Sequence, residues 1–118
     1  MPATSKQKLG AWGEEIAAIL LQKKGYSILA RNWRYKRAEV DLIIQNDQFL
    51  VFVEVKVRKN ASFGHPEAFV KEKKTQLIRM ASEQFQINIG YHGFIRFDII
   101  SIEGDPKHFE AIHLEDAF

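Results

Sequence analysis

Apolar residues recur at intervals of three and four through Leu9, Trp12, Ile16 and Leu20, which predicts an amphipathic helix over Ser5 to Lys24, with Gly25 where such a helix would stop. Gly10, Gly13 and Ala17 add a stripe of small side chains to it. A small stripe lets another backbone come close, so the neighbouring Glu14 is expected near whatever the helix leans on. The period then changes. Tyr26 to Tyr35 mixes aromatic and basic residues and reads as an irregular strand. Val40 to Ile44 and Phe49 to Val57 are strongly β-prone, and the turn-forming pair Asn46-Asp47 joins them as a hairpin. Residues 58–66 read as loop and Glu67 to Phe85 as a second helix, with Phe69, Lys73, Leu77, Ala81 and Phe85 spaced by four. Phe94 to Ile102 is a further strand, Gly104-Asp105-Pro106 a turn and His108 to Leu114 a last strand. One early hairpin and one helical crossover predict an α/β sandwich around a mixed sheet.

The hairpin carries the candidate chemistry. A turn centred on Asn46 and Asp47 pairs Ile44 with Phe49, Leu42 with Val51 and Val40 with Val53. Their shared face also holds Val55 and Val57; it is wholly apolar and belongs to the core. The other face holds Ile43, Leu50 and Phe52 near the turn, then Glu39, Asp41, Glu54, Lys56 and Arg58 at the open end. In that register Asp41 lies opposite Phe52 and diagonal to Glu54, within joint reach of one cation. Carboxylates held together repel unless something positive sits between them, and hard oxygen ligands favour Mg²⁺ or Mn²⁺. A lysine two residues on can position a water or a phosphate. The plainer reading makes Glu54 and Lys56 an ion pair on a wet strand and Asp41 an unrelated surface acid. Against it stands the run FLVFVEVKV, apolar on both sides until Glu54, as in a central strand where unpaired charge is costly.

At 118 residues, 46% of them hydrophobic, residues 1–118 suit one compact domain with its own core. The chain has no Cys, which excludes thiol chemistry and cysteine metal cages and makes a reducing cytoplasm the natural setting. No apolar run approaches the ~18 residues of a membrane span, so no membrane partner is expected. Net charge is only +2, but its distribution is uneven. Arg31, Arg34, Lys36 and Arg37 occur together without an acid, Lys56, Arg58, Lys59, Lys71, Lys73, Lys74 and Arg79 face only Glu67 and Glu72, and the C-terminal stretch is acidic. A protein that meets phosphates on one face shows this segregation. Trp33 and Tyr35, interleaved with Arg34 and Arg37, suit base stacking and phosphate contact, although Trp33 reads better as core. The nucleic-acid-binding candidates are Arg31, Arg34, Arg37, Arg58 and Lys73.

Gly10, Trp12-Gly13-Glu14, Gly25-Tyr26, Arg31-Asn32, Glu39-Val40-Asp41-Leu42-Ile43, Phe52-Val53-Glu54-Val55-Lys56-Val57-Arg58, Lys73, Leu77 and Ala81 together resemble the YraN family, also called UPF0102. That family is similar to the Holliday junction resolvases and belongs with the restriction-endonuclease-like PD-(D/E)xK nucleases. The resemblance implies a restriction-endonuclease-like three-layer sandwich with an αβββαβ core, and a divalent-metal site that hydrolyses DNA phosphodiesters. By position, Asp41, Glu54 and Lys56 match the catalytic motif, the Val55 carbonyl and the Glu14 carboxylate further metal ligands, and Lys73 a basic position on the second helix pointing toward the site. Val40 stands where the motif's name has proline. The expected partner is branched or structured DNA, the cofactor Mg²⁺ or Mn²⁺, and a homodimer across a two-fold junction is plausible. A non-catalytic nucleic-acid-binding or adaptor module on the same fold is the alternative.

Overall fold

The computed structural model describes Pro2, residues 4–59 and residues 72–118. Thr4 opens helix α1 (Ser5–Lys23) with a capping box, its Oγ1 accepting from the Gln7 N–H and the Gln7 side chain accepting from the Thr4 N–H. Gly25, at φ +97°, ends it. Strands β1 (Ser27–Tyr35), β2 (Ala38–Gln45) and β3 (Phe49–Arg58) follow, then helix α2, described over Glu72–Ile89, and strands β4 (Phe94–Asp105) and β5 (His108–Leu114). The expected start of the second helix at Glu67, with Phe69, lies outside the described residues. Its other end runs four residues past Phe85, to Ile89.

The strands form one sheet in the order β1-β2-β3-β4-β5. β3 and β4 run parallel across the α2 crossover, and every other pair is antiparallel. Each helix covers one face. Ala17, Ala18 and Leu21 of α1 pack on Leu42, Ile44, Val51, Val53, Ile100 and Ile102. Ile78, Ala81 and Phe85 of α2 pack on Val40, Ile43, Leu50, Phe52 and Phe97. The architecture is thus the expected three-layer α/β sandwich with a mixed central sheet. Its basic edge strand β1 and its acidic β4–β5 end lie at opposite sides of the sheet. Among the described residues no helix is long and apolar enough to cross a membrane.

The hairpin register departs from expectation by two residues. Leu42 pairs with Val53, Ile43 with Phe52 and Ile44 with Val51. Asn46 explains the shift: its Oδ1 accepts from the N–H groups of Gln48 and Phe49, so the reversal centres on Asp47-Gln48 rather than Asn46-Asp47. A slip of two preserves the faces, so Glu54 and Lys56 keep their side of the sheet. It also brings Asp41 to the position across from Glu54 instead of Phe52.

A second departure concerns Val40. It packs in the α2 layer, while Leu42 and Ile44, an even number of residues away, pack in the α1 layer. The alternation therefore breaks at Asp41. β1 breaks in step: Ala30 and Trp33, an odd number apart, share the α2 layer, and Asn32 between them takes the left-handed conformation at φ +49° that Asn tolerates better than most residues. This break in the first strand thus sits beside the candidate site, while the strand's register shift falls earlier, between Ile28 and Ala30.

Candidate functional site

Pairing of β2 with β3 extends only as far as Leu42↔Val53, and beyond it the strands splay. The Val55 N–H is met there by a side chain, donating to Asp41 Oδ2 at 2.8 Å. The break in β2 thus turns Asp41 into the bridge between the strands. It lines recesses on both sides of the sheet: one of about 290 Å³ with Glu14, Glu54, Lys56 and Lys6, and one of about 300 Å³ with Arg37, Glu39, Lys74 and Leu77.

Glu54 follows Val53 on the central strand and is only 3% exposed. Its Oε1 accepts from Lys74 Nζ at 2.6 Å, with Lys56 Nζ 3.6 Å away. Its Oε2 is buried and, among the described residues, has no hydrogen-bond partner. Removal from water and the adjacent Glu54 raise Asp41 from its ordinary 3.8 to about 8, against the lowering effect of the Val55 N–H, with Glu14 adding a further push upward. Burial lowers Lys56 from the usual lysine value, Glu54 opposing that shift and Lys74 reinforcing it. Two carboxylates compete for too few donors, which is the donor set a hard divalent cation satisfies.

Glu14 lines the same recess as Asp41, but its Oε1 accepts from Asn32 Nδ2 at 2.6 Å. Among the described residues no three Asp, Glu or His side chains are gathered into a ready metal cage. Gly13 holds α1 close enough for Glu14 to reach the recess: a Cβ there would stand 2.2 Å from Val57 Cγ2. The small stripe serves this contact at Gly13 and not at Gly10, where a Cβ would meet nothing.

The inward placement expected of Lys73 is corrected. Lys73 is exposed, and the neighbouring Lys74 reaches Glu54. A spacing of four advances the helix by about 400°, so Lys73 lies about 120° around the axis from Phe85, whereas Lys74 lies about 20° from it. Anchoring the phase on the buried Ile78, Ala81 and Phe85 would have identified Lys74 from sequence.

Of the other basic candidates, Arg37 borders the site recess. Arg31 is paired with Glu15 at 2.8 Å and Arg34 with Glu39 at 2.6 Å, both on the outer strand β1. Glu39 thus pairs with Arg34. Arg58 is held by Glu103 at 2.9 Å and is 12% exposed, so it serves the β3–β4 joint. Trp33 packs edge-on against Phe85 and stacks on Tyr35, as a core residue does.

The fold and the site define a class: an α/β sandwich whose mixed sheet carries two adjacent carboxylates and two lysines where a hairpin splays open. Comparison with known proteins supplies the lineage. The chain belongs to the uncharacterised protein family UPF0102, whose model matches residues 13–102 and so takes in Glu14, Asp41, Glu54, Lys56 and Lys74. It is 46% identical over 110 residues to UPF0102 protein FP2501 of Flavobacterium psychrophilum, covering 93% of this chain and 92% of that one. It is 46% identical over 116 residues to a UPF0102 protein of Flavobacterium johnsoniae, covering 94% of each. It is 39% identical over 111 residues to one of Phocaeicola vulgatus, covering 94% and 92%.

Proposed function

We propose that this protein is a metal-dependent endonuclease that hydrolyses phosphodiester bonds in branched or otherwise structured DNA. The observation that carries this reading is the buried Oε2 of Glu54, which meets no donor among the described residues, beside the Asp41 carboxyl. An acid left unsatisfied in a protein interior is costly unless a ligand completes it. Asp41, Glu54 and the Val55 carbonyl would hold one Mg²⁺ or Mn²⁺, with Glu14 reaching in from α1 once it leaves Asn32. Bound there, such an ion lowers the pKa of an attacking water and offsets the charge that builds on the phosphate.

The protein's own groups set the geometry around that chemistry. The Val55 N–H fixes one oxygen of Asp41 and leaves the other available. Lys56, on a strand paired along its length with β4, keeps an ammonium at the mouth of the recess, where it orients a water or a phosphate oxygen. Arg37 lies beside the site, and Arg31 and Arg34 extend the positive edge along β1 for backbone contacts. Two copies could present two such sites to a two-fold junction. A cysteine-free chain suits work in the cytoplasm.

A specific observation favours a second reading: Glu14 is bonded to Asn32 and not gathered with the other acids. On that reading the protein is a non-catalytic nucleic-acid-binding module. Cleavage of a labelled four-way junction in Mg²⁺ or Mn²⁺ separates the two. Cutting by wild type that is lost in EDTA and in Glu54→Ala supports the nuclease. Junction binding that is salt-sensitive, indifferent to EDTA and never followed by cutting supports the module.

A further inference from the structure

Glu54 Oε1 has two ammonium neighbours at unequal distances, Lys74 Nζ at 2.6 Å and Lys56 Nζ at 3.6 Å. The two lysines are held differently. Lys56 rises from the central strand, with its backbone registered against Ser101 of β4, and its side chain is 26% exposed. Lys74 stands in the first described turn of α2, in another layer, and its side chain is 40% exposed. Its bond to Glu54 is the contact that draws it inward.

The carboxylates already have cations of their own: Lys6, Lys56 and Lys74 line the two recesses together with Glu14, Asp41 and Glu54. A dication on the Asp41–Glu54 pair would crowd those cations, with Lys74 and the metal sharing one carboxylate. Repulsion between an ammonium and a dication is twice that between two ammonium groups at the same separation. The more exposed cation is the one that yields. Lys74 also lines the recess on the α2 side of Asp41, together with Arg37, so its ammonium would move toward the place where a phosphate meets the site.

We propose that Lys74 is the phosphate-binding residue of this site, held on Glu54 in the metal-free protein and transferred to the substrate phosphate when a divalent cation binds. The inference rests on the metal-dependent reading above and adds to it an order of events, metal before the grip on phosphate. It also gives the two lysines separate tasks, Lys56 fixed at the recess and Lys74 exchangeable.

The test is Mn²⁺ titration by calorimetry into wild type, Lys74→Gln and Lys74→Arg, each checked for folding by circular dichroism. Gln keeps a donor, on a side chain one atom shorter, but removes the charge, so Mn²⁺ should bind about tenfold more tightly, whereas Arg should leave affinity at or below that of wild type. The second readout is four-way junction binding by fluorescence anisotropy, with and without Ca²⁺. Wild type should gain affinity on adding Ca²⁺, and Lys74→Gln should lose most of that gain. Wild-type or weaker Mn²⁺ binding by Lys74→Gln overturns the exchange and leaves the metal site standing. Tighter Mn²⁺ binding with the Ca²⁺-dependent gain intact overturns the phosphate role. Absence of Mn²⁺ binding in all three proteins overturns the metal site itself.

Discussion

Two carboxylates of the same sheet, Asp98 buried and Asp41 half-buried, have opposite fates. Asp98 on β4 stands beside Val53, one residue short of Glu54 in the β3 register, and is fully buried. Arg96 donates to both of its oxygens at 2.8 Å, His113 Nε2 lies 2.7 Å from Oδ2, and the Asp116 N–H donates to Oδ1. Burial pushes its pKa up, yet the bonds from His113, Arg96 and Asp116 outweigh that and hold it below the ordinary carboxylate value. Asp41 has one N–H donor and a rival acid beside it, and it moves the other way. Burial alone therefore does not separate a structural acid from a functional one; the supply of donors does. Asp98 is a closed account that ties β4 to β5 and to the C-terminal residues, whereas the Asp41–Glu54 pair is open to a cation.

The largest expected effects test this contrast directly. Asp41→Ala and Glu54→Ala should each lower metal-dependent cleavage by about a thousandfold or more while the protein stays folded. Asp98→Ala should do the reverse. It takes the shared carboxylate from Arg96, 11% exposed, which keeps Tyr26 and Glu115, and from His113, 2% exposed, which keeps Lys24, at a cost of about 3 kcal/mol in urea unfolding. Cleavage per folded molecule should be unchanged. Loss of activity in folded Asp98→Ala, or unfolding of Asp41→Ala, would erase the distinction.

A smaller effect concerns how α1 serves the open site. Gly13→Ala should cost about 1–3 kcal/mol, because its Cβ would collide with Val57 Cγ2 on a strand that has no room to retreat. Gly10→Ala, three residues earlier and facing open space, should be neutral or stabilising by about 0.5–1 kcal/mol. Equal stabilities for the two variants, measured by chemical denaturation, would show that the close approach of α1 to β3 is not needed.

Most of the architecture was legible in the sequence, because the signals that produce it are local. The β1 and β5 boundaries, the two helices and the mixed sheet follow from hydrophobic period and turn chemistry. The side of the sheet taken by Glu54 and Lys56 survived a register error of two residues, since parity decides it. The site's finer geometry was not legible, because it depends on departures from regularity. The Asn46 side chain moves the turn by one residue, Asn32 and Asp41 break the alternation of two paired strands together, and a helix phase counted in fours points to Lys73 in place of Lys74. None of these changes the elements, yet each moves a side chain across the site. Lys74 remained recoverable from Ile78, Ala81 and Phe85. The Glu54 oxygen that meets no donor among the described residues was not, since it is a property of the packed interior alone.

The smallest effect expected is a difference in the sign of pH dependence. Asp98 has a folded pKa below its unfolded value, so the stability it contributes is fully present above the unfolded value near 3.8 and disappears as pH falls through the folded one. Asp41 runs the other way. Between 3.8 and about 8 the folded metal-free protein retains a proton that the unfolded chain has released. Its contribution is thus present at the acid end of that window and is lost as pH rises through it. Thermal melts in EDTA from about pH 5 to about pH 8 should show wild type losing stability relative to Asp41→Asn, which has no proton to release, by on the order of a few degrees. Excess Mg²⁺ should flatten that difference, because the cation takes the place of the proton. A difference that stays level across the range in EDTA would mean that Asp41 is as well satisfied as Asp98, and the physical ground for placing a metal between Asp41 and Glu54 would be gone.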